Sequence, residues 1–347
     1  MAATLTVDVE HLPDLLALYV TSGGQMVDPV AVEVQVMDLD GGEPGTELFP
    51  AAGGWEDMLT VGKRSTGVYD VIDGSAPWKH NAAVARGRVN WRHKLAATDD
   101  WTYVRRSFQV LLAATTGSDA GEAVAFLIQD LRDVGVTLTI ASDVAVYLQS
   151  VRLLQLAERF CRQHLRPYFG TMRFHGYDNR TLPLPEPLVG AQSVTEHDRV
   201  LDLDHLIVWG YEGEERRNPR LEVALTDPGS SIYTAPGWRR TFDARLMIYV
   251  VGVWGFFDPD TFDMPELVRQ ALINEGASVF GVTPSTGGGS AAGAVKREKT
   301  DGHEIEYAVQ ASTVRPGGLS LMDQATRDTL LLYKAPIAIG APRTKWV

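Results

Sequence analysis

Residues 142–165, SDVAVYLQSVRLLQLAERFCRQHL, form the clearest helical pattern in a chain whose other patterns are mostly those of strands. Apolar residues recur there at three- and four-residue steps, which places them along one side of a helix. Thr139 or Ser142 can cap its start, and Pro167 and Gly170 stop it. The sequence therefore predicts a helix over about 142–165, with an apolar side formed by Val144, Leu148, Val151, Leu154 and Phe160.

The chain before this helix shows the period-two alternation of strands, in short runs separated by glycine, proline, asparagine and aspartate. The runs are LTVDV, VAVEVQVMD, MLTVG, GVYDVID, GRVNWRH and WTYVRRSFQV. Their spacing is typical of a β-sandwich, which we predict over 1–112, with Trp91, Trp101 and Tyr103 in its core. The small and polar stretch LLAATTGSDAGEA follows, so residues 113–134 are predicted to be a linker.

The chain after the helix returns to strand period and later to helical period. Asp263 and Pro265 open one helical segment, and Ser320 and Asp323 match the capping pattern of another. We therefore predict an α+β protein in which an all-β sandwich precedes a second region, 135–336. That region has helices at about 142–165, 264–277 and 320–333, a β-rich insertion at about 171–256, and an extended tail after it at 337–347.

Residues 173–188, RFHGYDNRTLPLPEPL, have the crowded polar composition of a catalytic loop. Local turn chemistry favours a simpler interpretation, in which Gly176 allows the chain to turn and the polar residues after it bond the backbone. Leu182 and Leu184 then point inward, and the prolines between and after them keep a sheet edge from pairing further. We predict a junction between helix and sheet.

Composition narrows the possible functions. The formal net charge of -12 argues against a protein that grips nucleic acid by neutralising phosphates. Cys161 is the single cysteine, so no intramolecular disulfide is possible. No signal peptide and no apolar run of membrane-spanning length is expected, and the glycine run at 287–289 lacks the Gly-Lys-Ser/Thr of a phosphate-binding loop.

No group of residues makes a strong catalytic, cofactor or metal site. Cys161 and His164 lie three apart on the predicted helix, which more often reflects packing beside a solvated histidine than a nucleophile and base. Asp202, Asp204 and His205 are metal-ligand types, but on a strand the aspartates and the histidine would face opposite ways. The expected protein is not an enzyme and holds no cofactor or metal.

The order of segments resembles that of the head-to-tail connector (adaptor) family of tailed bacteriophages, over roughly residues 135–336. The likeness lies in the long helix, the FHGYDN turn, the strand ending VVGVWGF, the helix MPELVRQALI, the glycine-rich break, the phrase VKREKTDGHEIEY and the ending LLLYKAP. Glu298, Gly302 and Tyr307 occupy the family's Glu, Gly and Tyr places. Two N-terminal stretches, GGQMVDPVAVEVQVMD and STGVYDV, are similar to immunoglobulin-like modules of virion proteins.

The resemblance implies a structural virion protein that is assembled in the host cytoplasm and sits at the head–tail interface or neck. Such connectors form a ring, commonly of twelve copies, beneath the portal protein, and a stopper, tail-terminator or tail protein binds below. Genome DNA passes through the ring without sequence-specific binding, and no membrane is involved. Candidate partner-binding residues are Trp238, Arg239, Arg240, Arg327, Tyr333, Lys334, Ile337, Ile339 and Trp346.

A carbohydrate-binding or adhesin-like virion protein built from two β-rich modules is the alternative. Exposed tryptophan rings can stack on sugars, and Trp55, Trp78 and Trp238 lie in loop-like contexts flanked by glycine or proline. The pairing of tryptophan with arginine in GWRR at 237–240 equally suits a protein interface, because both residues are favoured at interface hot spots.

Overall fold

A computed structural model of the protein describes most of the chain. The described residues are 2–10, 14–116, 121–210, 218–224, 241–258, 263–282, 297–300, 303–306 and 322–335. Strands predominate, with a smaller share of helices, and the fold class is α+β as predicted. Among the described residues, no helix is both long and apolar enough to cross a bilayer.

The N-terminal strands form one large sheet and several small ones. Their bounds are β1 Ala2–Thr6, β2 Leu18–Tyr19, β3 Thr21–Ser22, β4 Gln25–Met26, β5 Ala31–Asp38, β6 Thr46–Phe49, β7 Glu56–Asp57, β8 Lys63–Ser65, β9 Val68–Tyr69, β10 Ile72–Asp73, β11 Ala76–Pro77, β12 Val84–Lys94, β13 Thr102–Leu111 and β14 Glu122–Val124. The large sheet has the order β14-β1-β13-β12-β5-β6, with β7 also pairing β5, and β1 runs parallel to β13. We call it the N-terminal sheet.

One strand prediction and part of the core prediction in this region are wrong. MLTVG is not a strand, because the chain turns between β7 and β8 with Gly62 N–H bonded to the Met58 carbonyl at 3.1 Å. Trp91 is fully buried as expected, but Tyr103 is 51% exposed and Trp101 is half-buried. Both lie at the outer side of the sheet, where β13 alternates Tyr103 outward and Val104 inward.

The segment 113–134, predicted as a linker, is folded where the structure describes it. It contains α1 Ala113–Thr116, the edge strand β14 and α2 Ile128–Asp133. Buried polar bonds hold it: the Ser150 hydroxyl accepts from Phe126 N–H at 3.0 Å and donates to the Phe126 carbonyl at 2.7 Å. Gln109 Oε1 accepts from Ile128 N–H at 2.9 Å. These bonds compensate for burying the backbone, which a solvated linker would not require.

The long helix forms as predicted. It is α3 Asp143–Cys161, and the Ser142 hydroxyl caps it by accepting from Ala145 N–H at 3.3 Å. The predicted apolar side is partly wrong, because Val144 and Leu148 are exposed. The buried side is rotated from it and consists of Val146, Tyr147, Ser150, Leu153, Leu154, Ala157 and Cys161.

The β-rich insertion is present at the predicted place. Its elements are β15 Tyr168–His175, β16 Thr181–Pro183, β17 Leu188–Glu196, β18 Arg199–Leu201, the short 3₁₀ helix Leu203–His205, β19 Leu206–Trp209, β20 Arg220–Val223 and β21 Met247–Trp254. The main sheet has the order β15-β21-β17-β4-β3, so two short strands from the N-terminal part extend it. The expected strand around Asp202 and Asp204 is wrong, since the Asp202 side chain caps the 3₁₀ turn instead.

The remaining elements are α4 Glu266–Val279, the hairpin of β22 Arg297–Thr300 and β23 His303–Glu306, and α5 Gln324–Leu331. Both predicted C-terminal helices are therefore confirmed, although α4 begins after Pro265 and not at an Asp263 cap. Helices α2, α3, α4 and α5 share one core. A second core lies inside the insertion, and the third joins the N-terminal strands to Val189, Val253 and Phe257 of the later sheet.

Candidate functional site

The C-terminal end of α5 is fastened to the C-terminal end of α3. Ala335 N–H donates to the Cys161 carbonyl at 2.8 Å, and Gln163 Nε2 donates to the Tyr333 carbonyl. The Tyr333 ring packs edge-on against Phe256 with centroids 5.3 Å apart. These contacts fix residues 330–335, which we call the C-terminal latch, at one end of the helical core.

Two of the predicted partner-binding residues belong to the latch, and a third lies on α5. Tyr333 and Lys334 are half-buried, and Lys334 Nζ lies 5.1 Å from the centre of the Phe160 ring. Arg327 lies one turn before the latch. Leu331 and Leu332 in the latch are 50% and 57% exposed, so this end of the protein presents apolar surface that the prediction omitted.

The start of α5 depends on a buried carboxylate of α4. Glu275 Oε2 accepts from Asp323 N–H at 2.9 Å, and the Asp323 side chain accepts from Thr326 N–H at 2.6 Å. Burial, together with the nearby Asp323 charge, raises the pKa of Glu275, while the Arg327 charge acts in the opposite direction. Arg327 is half-buried on α5, close enough for its charge to act on Glu275 of α4.

The other six predicted partner-binding residues lie outside the described residues. They are Trp238, Arg239, Arg240, Ile337, Ile339 and Trp346. Gly302 and Tyr307 of the family phrase are also outside, while Glu298 lies on β22.

The outer face of the N-terminal sheet carries an aromatic and charged cluster that sequence reasoning missed. Arg92 lies between two tryptophan rings, with its guanidinium carbon 4.2 Å from the Trp55 centroid and 4.4 Å from that of Trp101. Its Nε donates to Glu33 Oε2 at 2.6 Å, and the Trp55 ring meets Tyr103 edge-on at 6.1 Å. We call these five residues the arginine–tryptophan face. The strand alternation of β12, with Trp91 inward and Arg92 outward, was the available signal.

The two catalytic candidates, Cys161 and His164, contact different partners. Cys161 Sγ lies 3.5 Å from the Leu330 carbonyl, and burial raises the pKa of its thiol to about 12, which opposes formation of a nucleophilic thiolate. His164 Nδ1 instead contacts the buried Glu186 carboxylate at 3.0 Å. The residues that the structure describes contain no group of three or more potential metal ligands.

The polar stretch at 173–188 connects strands, and the predicted junction between helix and sheet is wrong: α3 ends at Cys161, whereas the stretch begins inside β15 and runs through β16 to the start of β17. Asp178 has a left-handed backbone, with φ of 52°, and its carboxylate accepts from Ala244 N–H at 3.0 Å. A side chain at Gly176 would collide with the backbone of Asp243. Leu182 and Leu184 are buried, and β16 is an edge strand, both as predicted.

Comparison with known protein families and with curated proteins finds no match to this chain.

Proposed function

We propose that this protein is a structural connector of a tailed bacteriophage, with no catalytic role. In this proposal it forms an adaptor ring, of about twelve copies in the family it resembles, beneath the portal at the neck of the virion. An immunoglobulin-like N-terminal region accompanies the connector region. Stopper, tail-terminator or tail proteins bind below, and genome DNA passes through.

The observation that carries the proposal is the C-terminal latch. The latch holds Tyr333, Lys334 and Ala335 firmly against the end of α3, so the chain beyond it starts from a fixed point. Twelve residues follow in the sequence, and they include Ile337, Ile339 and Trp346. An apolar segment anchored at its root suits a docking peptide, because a fixed start lowers the entropy lost on binding.

The net charge of -12 supports passage of DNA more than retention of DNA. A rigid structural role also fits the hydrophobic core, because the N-terminal strands share one core with Val253 and Phe257 of the later sheet.

The observed surroundings of the tryptophans give the carbohydrate alternative little support. Trp78 is 2% exposed, so its ring is closed to a sugar. One side of the Trp55 ring is covered by Arg92, and Trp238 lies outside the described residues.

Deletion of residues 336–347 tests the proposal, because it leaves the latch intact. We expect the truncated protein to keep the wild-type melting temperature and to lose binding to purified portal rings from the same phage, measured by mass photometry. A full-length variant with Ile337, Ile339 and Trp346 changed to serine should behave likewise, whereas full-length Leu267→Ser, a change at an exposed leucine of α4, should bind normally. Unchanged portal binding by the truncated protein contradicts the proposal.

A further inference from the structure

The exposed side of α3, together with the turn before it, is apolar in its N-terminal half and basic in its C-terminal half. Ile140, Val144 and Leu148 are exposed at its N-terminal half, and Arg152 and Arg159 are exposed at its C-terminal half. Steps of three and four residues align such side chains on one side of a helix. We call these five residues the α3 stripe; its helical part spans about 22 Å at about 1.5 Å per residue.

The described part of its own subunit leaves the stripe exposed. Leu148 is 56% exposed although the opposite side of α3 is fully packed, and Ile140 is 47% exposed. Among the described residues, Arg152 and Arg159 have no ion pair, whereas Arg132 nearby contacts Asp143 at 2.5 Å. Contiguous exposed apolar side chains mark interaction surfaces, and arginine is enriched at them. A channel wall is a poor alternative, because unpaired arginines would hold phosphates and slow the passage of DNA.

A surface of opposite charge lies in the insertion, at the turn that follows β17. Asp198, Asp202 and Asp204 are at least partly exposed there around Val200, which is 54% exposed. Asp198 and Asp202 lie 3.1 and 3.8 Å from Nε2 of His197 and of His205, and the exposed Arg199 leaves the three aspartates in excess. We call residues 198–204 the acidic turn. Strand β17 starts at Leu188 beside Trp254, near the end of α3, and ends at Glu196 just before this turn. Its nine residues span roughly 26 Å at about 3.3 Å per residue, so the acidic turn lies about that far from the start of β17.

We propose that the α3 stripe of one copy docks on the acidic turn of the next copy. The arginines then face the aspartates, and the apolar half of the stripe covers Val200. Two different patches make a heterologous contact, which closes into a ring when the rotation between copies is right. This inference rests on the proposed function and identifies the contact that builds its ring.

Charge reversal on the stripe tests the contact without the portal. We expect the wild-type protein to self-associate in sedimentation velocity as concentration rises, and less so at high salt, which screens exposed charges. The double variant R152E/R159E and the single variant L148D should each weaken self-association by about tenfold or more. Arg105→Glu is the matched control, because Arg105 is an exposed arginine on the N-terminal sheet. Unchanged melting temperatures show that each variant folds.

Reversal on the acidic turn identifies the partner surface. D198K/D204K should weaken self-association as the stripe variants do, and a chain carrying R152E/R159E together with D198K/D204K should regain it. Asp99 and Asp100, also exposed acids, provide the control pair D99K/D100K, which should not rescue the stripe variant. Failure of the rescue overturns the assignment to the acidic turn.

Two further outcomes overturn the whole inference and are separable from failure of the proposed function. They are a wild-type protein that stays monomeric at every soluble concentration, and R152E/R159E self-associating like wild type. In either case, portal binding through residues 336–347 is measured independently, so the proposed function stands or falls on its own test.

Discussion

Two surfaces of this protein expose arginine, and they differ in how the guanidinium groups are held. On the arginine–tryptophan face, Arg92 bonds Glu33 at 2.6 Å and lies within 4.4 Å of two indole centroids. On the α3 stripe, Arg152 and Arg159 have no ion pair among the described residues. A side chain that already has its partners gains little from a new one. The first surface is therefore complete within the subunit, and the second is open to a partner.

Substitutions on the two surfaces should also have different effects, on the stability of the fold in one case and on the assembly of copies in the other. Substitutions on the N-terminal sheet should change the free energy of unfolding, by an amount that grows with burial and with the number of partners lost. Substitutions on the α3 stripe should leave that free energy almost unchanged and alter self-association. Four substitutions examine this contrast from the largest expected effect to the smallest.

Trp91→Ala should cost the most, because it removes the packing beneath the arginine–tryptophan face. Trp91 is fully buried, and its Nε1 donates to the Leu16 carbonyl at 2.9 Å. Loss of such a side chain costs about 3–5 kcal/mol of unfolding free energy, measured by urea denaturation. Tyr103→Ala on the exposed side of the same sheet should cost under about 1 kcal/mol. Equal losses would mean that the two sides of the sheet are not distinct.

Arg92→Ala should cost about 1–2 kcal/mol, since it removes two cation–π contacts and one partly exposed ion pair. The same denaturation measurement checks the value. Arg105→Ala on the neighbouring strand changes an exposed arginine and should fall within about 0.5 kcal/mol of wild type. If Arg92→Ala is as mild as its control, the arginine–tryptophan face is not held together by Arg92.

The sequence predicted secondary structure better than side-chain burial. Helical period located α3, α4 and α5, capping located the starts of α3 and α5, and alternation placed Leu182 and Leu184 inward. The side of β13 was misjudged because the rule that aromatics lie inside fails there: Arg106 is fully buried, bonded to the carbonyls of Asp14 and Ala17, while Tyr103 is outside. Long-range partners decide such cases, and a single chain does not reveal them.

Long-range partners also explain why residues 113–134 were predicted to be a linker and why Val144 and Leu148 were predicted to be buried. Small polar residues at 113–134 resemble a linker, but Ser150, distant in sequence, satisfies their backbone at Phe126. Apolar spacing alone assigned Val144 and Leu148 to the packed side of α3. Packing against β14 and α4 decides which side of α3 is buried. The spacing of apolar residues does not show where those two elements lie, so exposed residues of the stripe were predicted to be core.

His93 should make the stability of the N-terminal sheet depend on pH. It is buried beside Arg92 on β12, and burial lowers its pKa below the ordinary value of about 6.5. As pH falls through about 6.5, the unfolded chain takes up a proton that the folded state resists, so stability decreases until the folded pKa is reached.

Thermal denaturation between pH 7.5 and 5.5 measures this effect. His93→Gln should lose less stability over that interval than the wild type, because it lacks the titrating group. His175→Gln, a change at an exposed histidine of β15, should follow the wild type. A wild-type decrease that persists in His93→Gln assigns the pH dependence to other groups.

Arg152→Ala should have the smallest effect on stability and is the most direct test of the contrast. Arg152 has no ion pair among the described residues, and alanine is a better helix former than arginine. The free energy of unfolding should therefore stay within about 0.5 kcal/mol of wild type. Self-association should nevertheless weaken. A loss comparable to that of Arg92→Ala would mean that Arg152 has a role inside its own subunit, and the distinction between the complete surface and the open one would disappear.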